Sequence, residues 1–110
     1  MSDPLGLLGL ARKAGRIVLG SAAVGQRLRQ GKAVLLLLAS DASPHSARHA
    51  KQWAEAAKTE LLNVPYTKEQ LGRALGHRTC ALALLTDEGF AEALSRTMNE
   101  IQNSEFGIQN

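Results

Sequence analysis

Two uninterrupted apolar runs, Val34 to Ala39 (VLLLLA) and Ala81 to Leu85 (ALALL), constrain this chain more than anything else in it. Both are short, and both are fenced by residues that end or cap regular structure: Gly31, Asp41 and Ser43 around the first, Gly76, Thr86 and Asp87 around the second. A strand with one wet face alternates apolar and polar residues, so a strand without alternation is buried on both faces. Two such strands predict the middle of a sheet with a covering layer on each side.

Helices supply the cover. Asp3 and Pro4 offer a cap and a first helical residue, and Leu7, Leu8, Ala11 and Ala14 recur at helical spacing up to Gly15. Ile17 to Leu19 reads as a short strand ended by Gly20, and Ser21 is placed to cap a second helix that turns Val24 and Leu28 inward and stops at Gly31. Pro44 opens a third helix whose Ala47, Ala50, Ala54 and Ala57 form a small-residue stripe, with Trp53 at its edge. Leu61 to Val64 is a third strand stopped by Pro65. Thr67 and Gln70 form a capping box, with Tyr66 and Leu71 placed as a hydrophobic staple. A last helix follows Thr86, with Phe90, Leu94, Met98 and Ile101 along one side. The alternation predicts an α/β protein, a three-layer α/β/α sandwich on a four-stranded, mostly parallel or mixed sheet. A chain of 110 residues holds one such domain, expected over 1–102, with 103–110 as a flexible tail because no periodic pattern continues there.

Aromatics make up only 4% of the chain, so aliphatic layers must form the core, and recognition of single-stranded RNA by ring stacking is disfavoured. The lone Cys80 excludes an internal disulfide, and no apolar run approaches a membrane span or a secretory signal, which makes the cytoplasm the expected compartment. Charge is polarised. Arg12, Lys13, Arg16, Arg27, Arg29 and Lys32 face only Asp3 in the first 32 residues, whereas from Asp87 onward five carboxylates face the single Arg96. A polyanion would be drawn to the first region and repelled by the second.

The strand-to-helix junctions, where an enzyme of this class would keep its chemistry, hold little of it. Asp41 and Asp87 follow the two apolar strands and are the one pair available for general acid–base work, although caps are expected there anyway. His45 and His49 have the spacing of two metal ligands on one helix, with no third ligand to complete a site. Cys80 begins an apolar strand, as a buried filler does. These features predict no catalysis, no metal and no cofactor. What remains is a phosphate-binding end: the unpaired first-turn amides of Ala22 and Ala23 in the second helix, the small Gly20 and Ser21 before them that permit close approach, and Arg16 and Arg27 to either side. His77 sits beside Arg78 in the loop before the last strand and is equally an RNA contact or a bare surface histidine.

The stretches GSAAVGQRLRQGK before LLLLASDASP, and TKEQLGRALG before ALALLTDEGFAEAL, resemble the kink-turn RNA-binding ribosomal proteins named after archaeal L-seven-Ae, which include L-thirty-e. The opening LGLLGLARKAG and the TDEGFAEAL segment are most similar to the bacterial YlxQ branch, and the resemblance covers about residues 5 to 95. It implies an RNA-binding, non-enzymatic protein, ribosome- or translation-associated, with ribosomal RNA or another kink-turn-like RNA as partner and ribosomal or translation-factor proteins as further partners. It places RNA at the start of the second helix and at the loop before the last strand. The family motif Gly-x-Asn-Glu-x-x-Lys falls on Gly20 to Gln26, where only the glycine matches: Ala22, Ala23 and Gln26 stand where the residues that read sheared G·A pairs belong. In the loop, Arg78 is the residue carried over. The alternative is a protein–protein adaptor on the same fold that has lost kink-turn recognition.

Overall fold

The computed structural model describes residues 3–107, of which 101–107 by their backbone alone. In order, the elements are α1 (Pro4–Lys13), β1 (Ile17–Leu19), α2 (Ser21–Arg29), β2 (Leu35–Leu38), α3 (Pro44–Ala57), β3 (Glu60–Asn63), α4 (Lys68–Leu75), β4 (Leu82–Leu85) and α5 (Glu88–Gly107). Helix α5 therefore continues past the boundary expected at 102. The side chain of Ile101 and residues 108–110 lie outside what is described.

The sheet order is β1-β4-β2-β3, and it is mixed. Only β2 and β3 pair in parallel; β4 runs antiparallel to both of its neighbours. This decides between the two sheets the sequence allowed, and the reason lies in α4. The Cys80 N–H donates to the carbonyl of Lys68 at 2.9 Å, so the chain leaving α4 folds back to where the helix began and re-enters the sheet from the end at which β3 left it.

The two unalternating runs contain the two central strands, and every residue of Leu35–Leu38 and of Leu82–Leu85 is buried. Leu35, Leu37, Ala83 and Leu85 face a core shared with Leu8 of α1, Leu71 and Leu75 of α4 and Leu94 of α5. Leu36, Leu38, Leu82 and Leu84 face a second core with Val24 and Leu28 of α2 and Ala50 and Ala54 of α3. The layers are thus α1, α4 and α5, then the sheet, then α2 and α3. At the α2–α3 contact Gly25 leaves room for the indole: a Cβ there would stand 3.3 Å from Trp53. Because β1, β2 and β3 point one way, the turns into α2, α3 and α4, and the loop into β4, all gather at one end of the sheet.

Candidate nucleic-acid interface

Among the described residues, α2 is the helix whose start no side chain closes. Asp3 Oδ2 accepts from Gly6 N–H at 3.1 Å on α1, Ser43 Oγ from Ser46 N–H at 3.1 Å on α3, Thr67 Oγ1 from Gln70 N–H at 3.1 Å on α4, and Asp87 Oδ2 from Phe90 N–H at 3.0 Å on α5. At α2 the cap is Gly20 itself, with φ 89° and ψ 152° and no side-chain bond, and Ser21 is the first helical residue. This corrects the capping role expected of Ser21, for the chain turns one residue earlier in a conformation that glycine alone adopts freely. Gly20 is held by donating to the Leu82 carbonyl at 3.2 Å, and its own carbonyl accepts from Val24 N–H at 2.9 Å. The amides of Ser21, Ala22 and Ala23 find no acceptor among the described residues, and all three residues are exposed. Such amides, with the positive end of the helix dipole, suit an anion.

The loop His77–Ala81 lies beside this end. Leu19, Gly20 and Ser21 line a shallow depression of ≈ 180 Å³ together with His77, Thr79 and Cys80. Arg78 stands exposed on the same loop. His77 N–H donates to the Gly72 carbonyl at 2.7 Å, and the loop rests directly on α4: a Cβ on Gly72 would be 2.6 Å from the Thr79 Cα and 2.7 Å from its nitrogen. Gly72 therefore positions Arg78. The reading of the sequence missed it, although a glycine inside the LGRALG helix is the kind of signal that marks a close backbone approach.

Along the flank of α2, Ala23, Gln26, Arg27 and Gln30 bound a second hollow of ≈ 210 Å³ against Val18, the middle residue of the edge strand β1. Arg27 is half-buried there, and Ala22 and Gln26 are exposed. Arg16 is not part of this gathering: it precedes β1, whereas Gly20 follows it, so a strand length separates them, and the Arg16 carbonyl accepts from Thr86 N–H at 3.0 Å at the opposite end of the sheet. The candidate residues form a line down the β1 edge, with Arg78 and the helix start at one end, Arg27 midway and Arg16 at the other.

The remaining candidates have structural employment. The antiparallel pairing of β2 and β4 puts Asp41 and Asp87 at opposite ends of the sheet, which removes them as an acid–base pair. Asp41 Oδ1 instead accepts from Lys68 N–H at 2.7 Å. Burial pushes the Cys80 thiol up, against a weaker opposing contribution from the Leu82 backbone, so it stays protonated at neutral pH as a core filler. The rings of His45 and His49 lie 4.4 Å apart, and no group of three or more potential ligands exists among the described residues. No described helix is long and apolar enough to cross a membrane.

An open helix end and a moored loop on a mixed α/β/α sandwich define a class, and comparison places the chain within it. Residues 5–95 match the Ribosomal protein L7Ae/L30e/S12e/Gadd45 family, and the chain belongs to that family. It is 36% identical over 92 residues to the RNA-binding protein YlxQ of Bacillus subtilis, covering 80% of this chain and 87% of that protein. It is 35% identical over 97 residues to large ribosomal subunit protein eL30 of Spodoptera frugiperda, covering 86% and 84%. A Bacillus halodurans protein of unknown function has the same fold, with a TM-score of 0.81 at 26% identity over 90% of this chain and 99% of that one. So does a 15.5kD RNA binding protein of Giardia lamblia, with a TM-score of 0.70 at 20% identity over 89% and 83%.

Proposed function

We propose that this protein binds structured RNA, ribosomal RNA or another kink-turn-like RNA, in a ribosome- or translation-associated setting in the cytoplasm, and performs no catalysis. The observation that carries this is the uncapped start of α2 set against the loop that bears Arg78, in a family whose YlxQ relative is named an RNA-binding protein. Phosphate is bound by the amides of Ser21 to Ala23, with Arg27 and Arg78 beside them and Arg16 extending the basic edge. Methyl groups at Ala22 and Ala23 neither donate to nor accept from a guanine edge, so affinity comes from phosphate and shape, and selection of tandem G·A pairs is weak.

Competition between a kink-turn RNA and a straightened control duplex, repeated over a salt series, tests this. Binding should fall about tenfold or more over a severalfold rise in salt if three or four phosphates are contacted. Discrimination between the two RNAs should be only a few-fold, and Ala22→Asn, Ala23→Glu and Gln26→Lys together should raise it, each good base contact adding about 1 to 3 kcal/mol by analogy with groove readout. No RNA binding at low salt would leave the adaptor reading in its place. Strong selectivity in the native chain would show that other residues read the bases.

A further inference from the structure

Leu10 is the large apolar side chain that the fold leaves in solvent among the described residues, at 57% exposure. It lies on α1 away from Leu8 and Ala11, which are fully buried in the core. Beside it, α1 and α4 enclose an open groove of ≈ 560 Å³. Gly6, Gly9 and Ala74 line it with almost no side chain, Leu5 and Leu10 add apolar surface, and Lys13 and Arg73 supply its charge. No carboxylate lines it, and neither cation belongs to an ion pair among the described residues.

The two glycines differ. Gly9 is demanded by packing, since a Cβ there would come within 3.3 Å of the Ala74 carbonyl oxygen. Gly6 is not: a Cβ would meet only Asp3, at an ordinary 3.5 Å, even though glycine weakens a helix interior relative to alanine. The fold of this chain alone thus accounts for neither Gly6 nor Leu10, whereas a bare helix backbone beside an exposed leucine suits a second helix lying close against it.

We propose that the α1–α4 groove docks an acidic amphipathic helix of a partner protein. Its apolar side chains would seat over Gly6 and Gly9 against Leu5 and Leu10, and its carboxylates would meet Lys13 and Arg73. The apolar lining disfavours RNA, and the unopposed cations select an acidic partner over a basic one. The groove shares no lining residue with the depression at the start of α2 or with the hollow along its flank, so RNA and this partner are held together and not in exchange.

Amide chemical shifts of the ¹⁵N-labelled full-length chain provide the test, using two helical peptides with the same apolar residues flanked by glutamates or by lysines. The glutamate peptide should shift Gly6, Gly9, Leu10 and Arg73 and bind about tenfold more tightly than the lysine peptide. Reversing both charges, Lys13→Glu with Arg73→Glu, should invert that preference, and Gly6→Leu should abolish binding of either peptide while the chain still unfolds cooperatively and still binds RNA. Saturating RNA should leave peptide affinity unchanged. The proposal is overturned by any of four results: no shifts in the groove, equal affinity for the two peptides, concentration-dependent groove shifts without peptide, which would assign it to a second copy, or displacement of peptide by RNA.

Discussion

The starts of α2 and α4 lie at the same end of the sheet, yet they are built in opposite ways. At α4 the capping box closes on itself, with Thr67 N–H donating to Gln70 Oε1 at 2.9 Å and Gln70 N–H donating to Thr67 Oγ1, and Asp41 takes the next amide, that of Lys68. At α2 a glycine turns the corner and Ser21, Ala22 and Ala23 offer their amides to solvent. A capped end adds to the stability of the fold; one that begins on a glycine cap forgoes roughly a few tenths of a kcal/mol and keeps its donors for a ligand. The contrast separates a helix start that serves the fold from one available for binding.

The strongest way to break this comparison is through the glycine that ties the two ends together. Gly72→Ala drives a Cβ into the backbone of Thr79, so it should cost about 3 kcal/mol of stability and, by displacing the Arg78 loop, weaken RNA binding as well. Denaturant unfolding and RNA titration of the same variant check both halves; lowered stability with undiminished RNA affinity would remove the loop from the interface. Next in size, Arg27→Ala and Arg78→Ala should each lose roughly 1 to 3 kcal/mol of RNA binding with little change in folding. Arg96→Ala should leave binding untouched, because Arg96 is engaged only in an exposed pair with Glu92 at 3.1 Å on the acidic α5. Equal losses at all three arginines, measured by titration, would reduce the interface to general charge attraction.

A reciprocal pair of substitutions gives a smaller and sharper contrast. Thr67→Ala should lower stability by about 1 kcal/mol and leave RNA affinity alone. Ala22→Asp should do the reverse, adding a few tenths of a kcal/mol through the helix dipole, roughly, while placing a carboxylate where phosphate must sit and weakening RNA binding. Thermal unfolding and titration of both variants test the division of labour, which fails if the two variants move RNA affinity in the same direction.

Much of this architecture was legible along the chain. The unalternating VLLLLA and ALALL runs marked the two central strands, and the Thr67–Gln70 capping box formed where its spacing placed it. These are local signals: burial on both faces leaves no polar alternation, and a cap is made by residues three apart. The start of α2 was legible as a small-residue turn between Gly20 and Ala23, but its chemistry was only half so, because Ser21 has the composition of a cap without the backbone position of one.

What the sequence by itself determined is which segments are strands and helices, which strands lie in the middle, and where cations accumulate, since each follows from periodicity, capping or a count of charges. What only the tertiary structure decided is direction and proximity. The reversal of β4 sends Asp41 and Asp87 to opposite ends of the sheet and brings the Arg78 loop beside Gly20. None of this can be read from a run of apolar residues, because such a strand is equally well buried in either direction; the direction is set by how α4 and its loop pack against each other, through Lys68, Gly72 and Cys80.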